Sequence, residues 1–387
     1  MFYHFLNYLH AKRILYINPF QYETFRAGIA LVTALLISLA IGKRVIVVLR
    51  ALKAGQPIHT VTIKGAPDLA EMHGKKAGTP TMGGVLIVFS VLVPVLLFCN
   101  LTNPLVWLLV LVTLSFAALG FWDDYLKITK KNADGLKARY KLLVQAIIAL
   151  FVGGFLYYYG SSVPNGVVYT YLEKGHAYGP FSGYDRILAP FFKTFYPQIG
   201  LLFVLYAIVV LTATSNAVNL TDGLDGLCIG IMTIVATAFM ILVYIASNRA
   251  FSNYLMLPHV TSADEVLVFM GALIGASLGF LWYNAYPADM FMGDTGSMTL
   301  GGVIGTVALI TKQEILLAII GGIFVLEALS VIIQVGSYKL RHKRVFLMSP
   351  LHHHYEKKGM TEAKIIARFW IVSALLALIG LSTLRLR

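Results

Sequence analysis

The sequence predicts an all-α fold, a polytopic integral membrane protein of about ten transmembrane helices with both termini on the outer face. Three observations carry that prediction. Hydrophobic residues make up 58% of the chain and charged ones only 13%, against roughly 25% charged in a soluble domain, and mean hydropathy is +0.76. The apolar residues are gathered into runs that approach the 20 or so residues a helix needs to cross a bilayer. Basic residues outnumber acidic ones by 31 to 18, and they flank the apolar runs. That placement reads as membrane orientation rather than nucleic-acid binding.

Ten spans are expected near 25–48, 81–99, 103–122, 142–160, 197–216, 224–247, 266–284, 297–311, 315–338 and 365–384. The first follows a mixed polar and aromatic segment that has no cleavable-signal pattern, so it reads as a retained span. The second emerges from the turn Gly78-Thr-Pro-Thr-Met-Gly-Gly84. The third runs into Phe121-Trp-Asp-Asp-Tyr-Leu-Lys127, and the fourth follows Lys137, Arg139 and Lys141. Residues 161–195 form the longest outer loop, where Val167–Leu172 beside Pro164-Asn-Gly suggests a small hairpin. Asn219-Leu-Thr-Asp-Gly-Leu-Asp-Gly226 separates the fifth and sixth spans, and its glycines break the helix. Phe291-Met-Gly-Asp-Thr-Gly296 leads into the eighth, and the ninth carries Glu327 and Gln334 seven residues apart, hence on one face. With no inverted internal repeat, residues 1–387 read as one transmembrane domain. Cys99 and Cys228 are too few for a disulfide framework and read as small buried hydrophobes.

Alternating the spans from an outer N-terminus gathers most of the Lys and Arg on one side, which the positive-inside rule makes cytoplasmic. The three acidic clusters, the 78–84 turn and His352-His-His-Tyr-Glu356 fall on that same side. Carboxylates at a membrane boundary are costly and mark function by default. Asp123 and Asp124 are helix neighbours whose side chains point about 100° apart, so they divide two tasks. Lys127, three and four residues on, has the spacing of an ordinary helix ion pair as well. Asn219, Asp222 and Asp225 recur every third residue and stay close on a helix or in a turn. Gly293 lets backbone approach a ligand, Phe291 offers a flat face to a base, and Asp294 is a hard oxygen ligand suited to Mg²⁺. Three consecutive histidines cannot all face one ion, which argues against zinc. Among neighbouring Lys and Arg they suit a phosphate-facing loop. Gln334 is placed to read a ligand, and Glu327 reads as a packed structural carboxyl.

With these motifs in order, the chain resembles the phospho-N-acetylmuramoyl-pentapeptide transferases of the polyprenyl-phosphate N-acetylhexosamine-1-phosphate transferase superfamily. The resemblance covers nearly the whole chain, on Lys76–Gly84, Asp123–Lys127, Asn219–Asp225, Phe291–Asp294 and Pro350–Glu356. It implies transfer of phospho-N-acetylmuramoyl-pentapeptide from a UDP carrier to undecaprenyl phosphate at the cytoplasmic face of a bacterial inner membrane, giving lipid I and UMP with Mg²⁺ present. It further implies that Asp294 binds the metal, Asp123 is the acid/base or nucleophile and Asp124 supports the site. Phe291 stacks on uracil, and Lys76, Thr81, Lys127, Asn219, Asp222, Asp225, Asn284, Gly293 and Gln334 line the substrate pocket. His352, His353 and His354 meet the diphosphate or sugar. Whether Lys137 or Lys141 joins them stays open, as does a direct against a phospho-enzyme route; a homodimer is compatible with the sequence without being required by it. The rivals are a sister N-acetylglucosamine-1-phosphate transferase and an ion-coupled transporter. The transporter predicts acids near mid-span, whereas these sit at span ends.

Overall fold

The computed structural model describes residues 1–14, 18–52, 78–129, 135–162, 167–173, 176–190, 192 and 196–385. Its helices are α1 (Phe2–Ala11), α2 (Glu23–Ala51), α3 (Gly84–Phe98), α4 (Pro104–Thr129), α5 (Ala138–Ser162), α6 (Leu202–Thr221), α7 (Leu227–Ser247), α8 (Arg249–Leu255), α9 (Asp264–Asn284), α10 (Gly293–Thr311), α11 (Glu314–Ile320), α12 (Gly322–Arg341), α13 (Leu351–Lys357) and α14 (Glu362–Ser382). Eight of them are long and apolar enough to cross a membrane, and α3 is a shorter apolar helix. With α10, each of the ten expected spans has its helix among the described residues.

The ninth differs from the single helix expected over 315–338. It is two helices, α11 and α12, divided at Gly321 and Gly322; glycine is the poorest helix former after proline, and two in succession mark the break. The other differences lie at the ends and matter more. Helix α4 runs on to Thr129, so Asp123, Asp124 and Lys127 occupy its last two turns. Helix α6 runs to Thr221 and keeps Asn219 helical, with Asp222 as its C-cap. Gly226, at φ 73°, is the N-cap of α7.

Helix α10 sits at the centre: every residue from Thr295 to Thr311 is buried. Its many Gly, Ser and Thr residues make it less apolar than its neighbours, yet it is surrounded by helices rather than lipid. The hydroxyls of Ser297, Thr299, Thr306 and Thr311 each donate to the carbonyl four residues earlier, at 2.6–2.9 Å, which satisfies them without water. Its glycines admit close crossings. A Cβ on Gly84 of α3 would collide with the Gly296 backbone, and one on Gly120 of α4 with the Asp294 carbonyl. The outer helices instead turn apolar side chains outward, as Leu36, Leu205, Ile332 and Leu378 do. In the loop after α5, strand β1 (Val167–Glu173) pairs antiparallel with β2 (His176–Ser182), forming the expected hairpin, and on its other edge with β3 (His259–Val260). The Pro164-Asn-Gly turn residues lie outside the described residues.

Candidate active site

The ends of α4 and α6 and the starts of α5 and α10 meet at one face of the bundle. There Asp123, Asp124 and Asp294 each offer an oxygen within 4.8 Å of the others. The two neighbouring aspartates point to different partners, as their helical offset requires. The Asp123 carboxylate accepts the Leu136 backbone N–H at 2.7 Å and pairs with Lys127 Nζ at 2.6 Å. The Asp124 carboxylate turns to the start of α10, accepting from Asp294 N at 3.1 Å, Thr295 N at 3.0 Å and Thr295 Oγ1 at 2.7 Å. It satisfies the free N–H groups of that helix end. Asp294 is the most open of the three, its side chain 13% exposed against 3% for the others. It receives Lys141 Nζ at 2.6 Å, Lys127 Nζ at 3.1 Å and Asn219 Nδ2 at 2.8 Å. Asn219 also donates to Ser297 Oγ at 2.8 Å.

Lys141, in the first turn of α5, therefore belongs to the cluster, while Lys137 just before the helix is exposed. The two lie four apart in the chain, so spacing alone could not choose between them. Thr295 and Ser297 carried no signal either, being ordinary hydroxyls until α10 is seen to begin at Gly293.

Backbone bonds strap the flanking turns together. Phe291 N donates to Pro80 O at 2.8 Å, Gly83 N to Phe291 O and Gly84 N to Met292 O, both at 2.9 Å. Gly293, at φ 71°, faces Asp124 and Thr81 so closely that a Cβ would press on both. Lys76 lies outside the described residues. Asp222 accepts from the Gly293 backbone; burial, and then the negative fields of Asp294, Asp124 and Asp225, push its carboxyl up to about 8. Asp225 is buried, its carboxylate accepting from Ala288 N at 3.0 Å. Asn284 is buried too, accepting from Gly226 N at 3.0 Å and donating to Met290 O at 2.9 Å.

The histidines separate into three situations. His352 is buried with Nδ1 3.2 Å from Glu327 Oε1. His353 pairs with Glu356 at 2.6 Å, and His354 Nδ1 accepts from Leu347 N at 3.1 Å. Gln334, expected to read a ligand, has its amide engaged with backbone: Oε1 accepts from Val345 N and Phe346 N, and Nε2 donates to Phe346 O. It braces the loop between α12 and α13.

An apolar cavity of about 790 Å³ opens between α6 and α12, lined by Leu142, Val209, Leu220, Ile304, Phe324 and Ile332 among others. Its lining residues Leu142 and Leu220 are the sequence neighbours of Lys141 and Asn219, so α5 and α6 contribute to both the cavity and the charged cluster.

A membrane-spanning bundle whose span ends pool carboxylates and lysines is the setting of a phosphoryl- or glycosyl-transferring enzyme, and the glycosyl transferase family 4 model matches residues 106–312, which hold all the carboxylates and lysines of that cluster. A signature of the phospho-N-acetylmuramoyl-pentapeptide-transferases matches residues 76–88. Proteins of that name from Geobacter sp. (strain M21), Citrifermentans bemidjiense and Pelobacter propionicus are 49%, 48% and 47% identical to the chain over all 387 residues and the whole of each relative. The chain belongs to the phospho-N-acetylmuramoyl-pentapeptide-transferase family.

Proposed function

We propose that the chain transfers phospho-N-acetylmuramoyl-pentapeptide from its UDP carrier to undecaprenyl phosphate, forming lipid I and releasing UMP, a step of peptidoglycan synthesis at the cytoplasmic face of the inner membrane. The observation that carries this reading is that α5 and α6 supply both the Asp/Lys cluster and the lining of the apolar cavity. A polyprenyl chain needs the cavity and a diphosphate needs the cluster. Lysines 127 and 141 attract phosphate oxygens, and Asp123, beside them, takes the proton of the lipid phosphate as its oxygen attacks the sugar-bearing phosphorus. The new P–O bond joins lipid phosphate to sugar phosphate, and the donor's P–O–P link breaks to release UMP. Such catalysis is mostly positioning and charge neutralisation.

The donor set fits Mg²⁺, which takes one or two carboxylates and completes its shell with water and phosphate oxygens. Asp294, the most open carboxylate, would hold it, with Asp123 and Asp124 in reach. A bound Mg²⁺ would neutralise charge on the diphosphate oxygens. Phe291 stacks on the uracil, and His353 and His354, the less buried of the three histidines, contact the donor beyond its uridine.

The test is UMP release by the purified full chain with Mg²⁺, undecaprenyl phosphate and either donor. Turnover of UDP-N-acetylmuramoyl-pentapeptide far above that of UDP-N-acetylglucosamine is expected. Equal or better use of UDP-N-acetylglucosamine moves the assignment to the sister transferase, and no UMP from either overturns it.

A further inference from the structure

Glu327 lies within α12 and is fully buried, where an ionisable group is costly unless every oxygen is engaged. Its oxygens reach the segment that carries the histidines. Oε2 accepts from Leu351 N at 2.6 Å, and Oε1 takes both the N–H and the Nδ1 of His352 at 3.2 Å. An imidazole that donates Nδ1–H to a carboxylate has its ring plane and its tautomer fixed, leaving Nε2 as the free end. That Nε2 is buried without a hydrogen-bond partner, and it lies against Gly223: a Cβ built on Gly223 would land on it. Gly223 follows Asp222, whose carboxylate accepts from the Gly293 backbone one residue before Asp294. An unbroken line of contacts thus runs from α12 through the imidazole and the Asp222–Gly223 turn to the carboxylate cluster.

We infer that Glu327 is a positioning residue, which acts through His352 to hold the Asp222–Gly223 turn, and with it Asp222, against the start of α10. Glu327 itself touches no substrate. The inference deepens the transferase reading and rests on it. It also gives Gly223 a steric reason to be glycine, since its backbone needs no left-handed conformation.

The experiment compares UMP release by the full chain and its variants, with chain folding checked by thermal unfolding in detergent. Glu327→Gln keeps the side chain's shape but loses the paired acceptors. It is expected to lower kcat ~10-fold or more, with the nucleotide KM within about threefold of wild type, as for the loss of a group that orients a working residue. Adding Glu327→Gln to His352→Gln should lower kcat little beyond His352→Gln alone, because two residues acting in series are not additive. Gly223→Ala reaches the same contact from the other side without touching Glu327, and a similar fall in kcat is expected. It decides the matter if Glu327→Gln does not fold. A wild-type kcat in folded Glu327→Gln or Gly223→Ala, or losses that multiply in the double variant, overturns the inference alone. A wild-type chain that releases no UMP overturns the transferase reading and this inference with it.

Discussion

Asp124→Asn isolates the link between α4 and the start of α10. The carboxylate accepts three bonds there, Oδ1 from Asp294 N and Oδ2 from the Thr295 N–H and hydroxyl. An asparagine has a single acceptor oxygen. Placed at Oδ2 it retains both Thr295 bonds and turns its NH₂ against Asp294 N, so at least one bond to an ionised acceptor is lost. Such bonds contribute about 1.5–3 kcal/mol each. The bond lost is the one at the backbone of Asp294, so its loss falls on the geometry of the proposed metal ligand. At about 1.4 kcal/mol per factor of ten, kcat/KM should drop about 10- to 150-fold. Asp124→Ala forfeits all three bonds and should fall further. UMP release under subsaturating donor reads kcat/KM directly, with thermal unfolding to establish that the variant is folded. Near wild-type turnover by folded Asp124→Asn would refute the reasoning, because it would mean that the start of α10 keeps its place without this carboxylate.

Lys141→Met removes the cation 2.6 Å from Asp294 and should lower kcat about 10-fold or more, whereas Lys137→Met, at an exposed position, should turn over almost normally; the reverse order in parallel assays would exclude Lys141 from the site. Asp222, with its carboxyl pushed up to about 8, holds its proton below that pH and loses it above, adding negative charge beside Asp294. The pH–rate profile of the wild type should therefore fall on the alkaline side near pH 8, and Asp222→Asn, which cannot ionise, should lack that limb. Chelation with EDTA should stop UMP release and Mg²⁺ restore it, while Asp294→Ala should stay inactive at any Mg²⁺ concentration; a normal Mg²⁺ titration in that variant places the metal elsewhere. Phe291→Ala should weaken UMP binding by about 1–3 kcal/mol, measurable by equilibrium dialysis, as base stacking on an aromatic ring predicts.

The sequence made the spans legible because lipid imposes one rule on all of them: bury backbone in helix and turn apolar side chains outward. The same rule hid the ends, since nothing apolar marks where α4 stops at Thr129 or α6 at Thr221. Aspartates 123, 124 and 294 stood out as charges at span boundaries, and the fold brings them together. Lys141 and Thr295 did not stand out, because their part depends on which helix ends converge. Glu327 read as a packed carboxyl, and it is packed; that it grips two backbone N–H groups and an imidazole across 24 and 25 residues of chain could not be read from a seven-residue spacing with Gln334.

The three backbone bonds that join Pro80, Gly83 and Gly84 to Phe291 and Met292 constrain the chain in a way that side-chain chemistry does not. Backbone rungs are indifferent to the identity of the residues that form them but not to their count. A single residue inserted or deleted between Pro80 and Gly84 shifts every rung after it, and it moves Gly84 off the only width of gap that Gly296 leaves it. Variation in this strap should thus be confined to substitutions, at constant length. Drift of either turn also drags the other, so the Asp294 turn inherits whatever strain is introduced more than two hundred residues earlier in the chain.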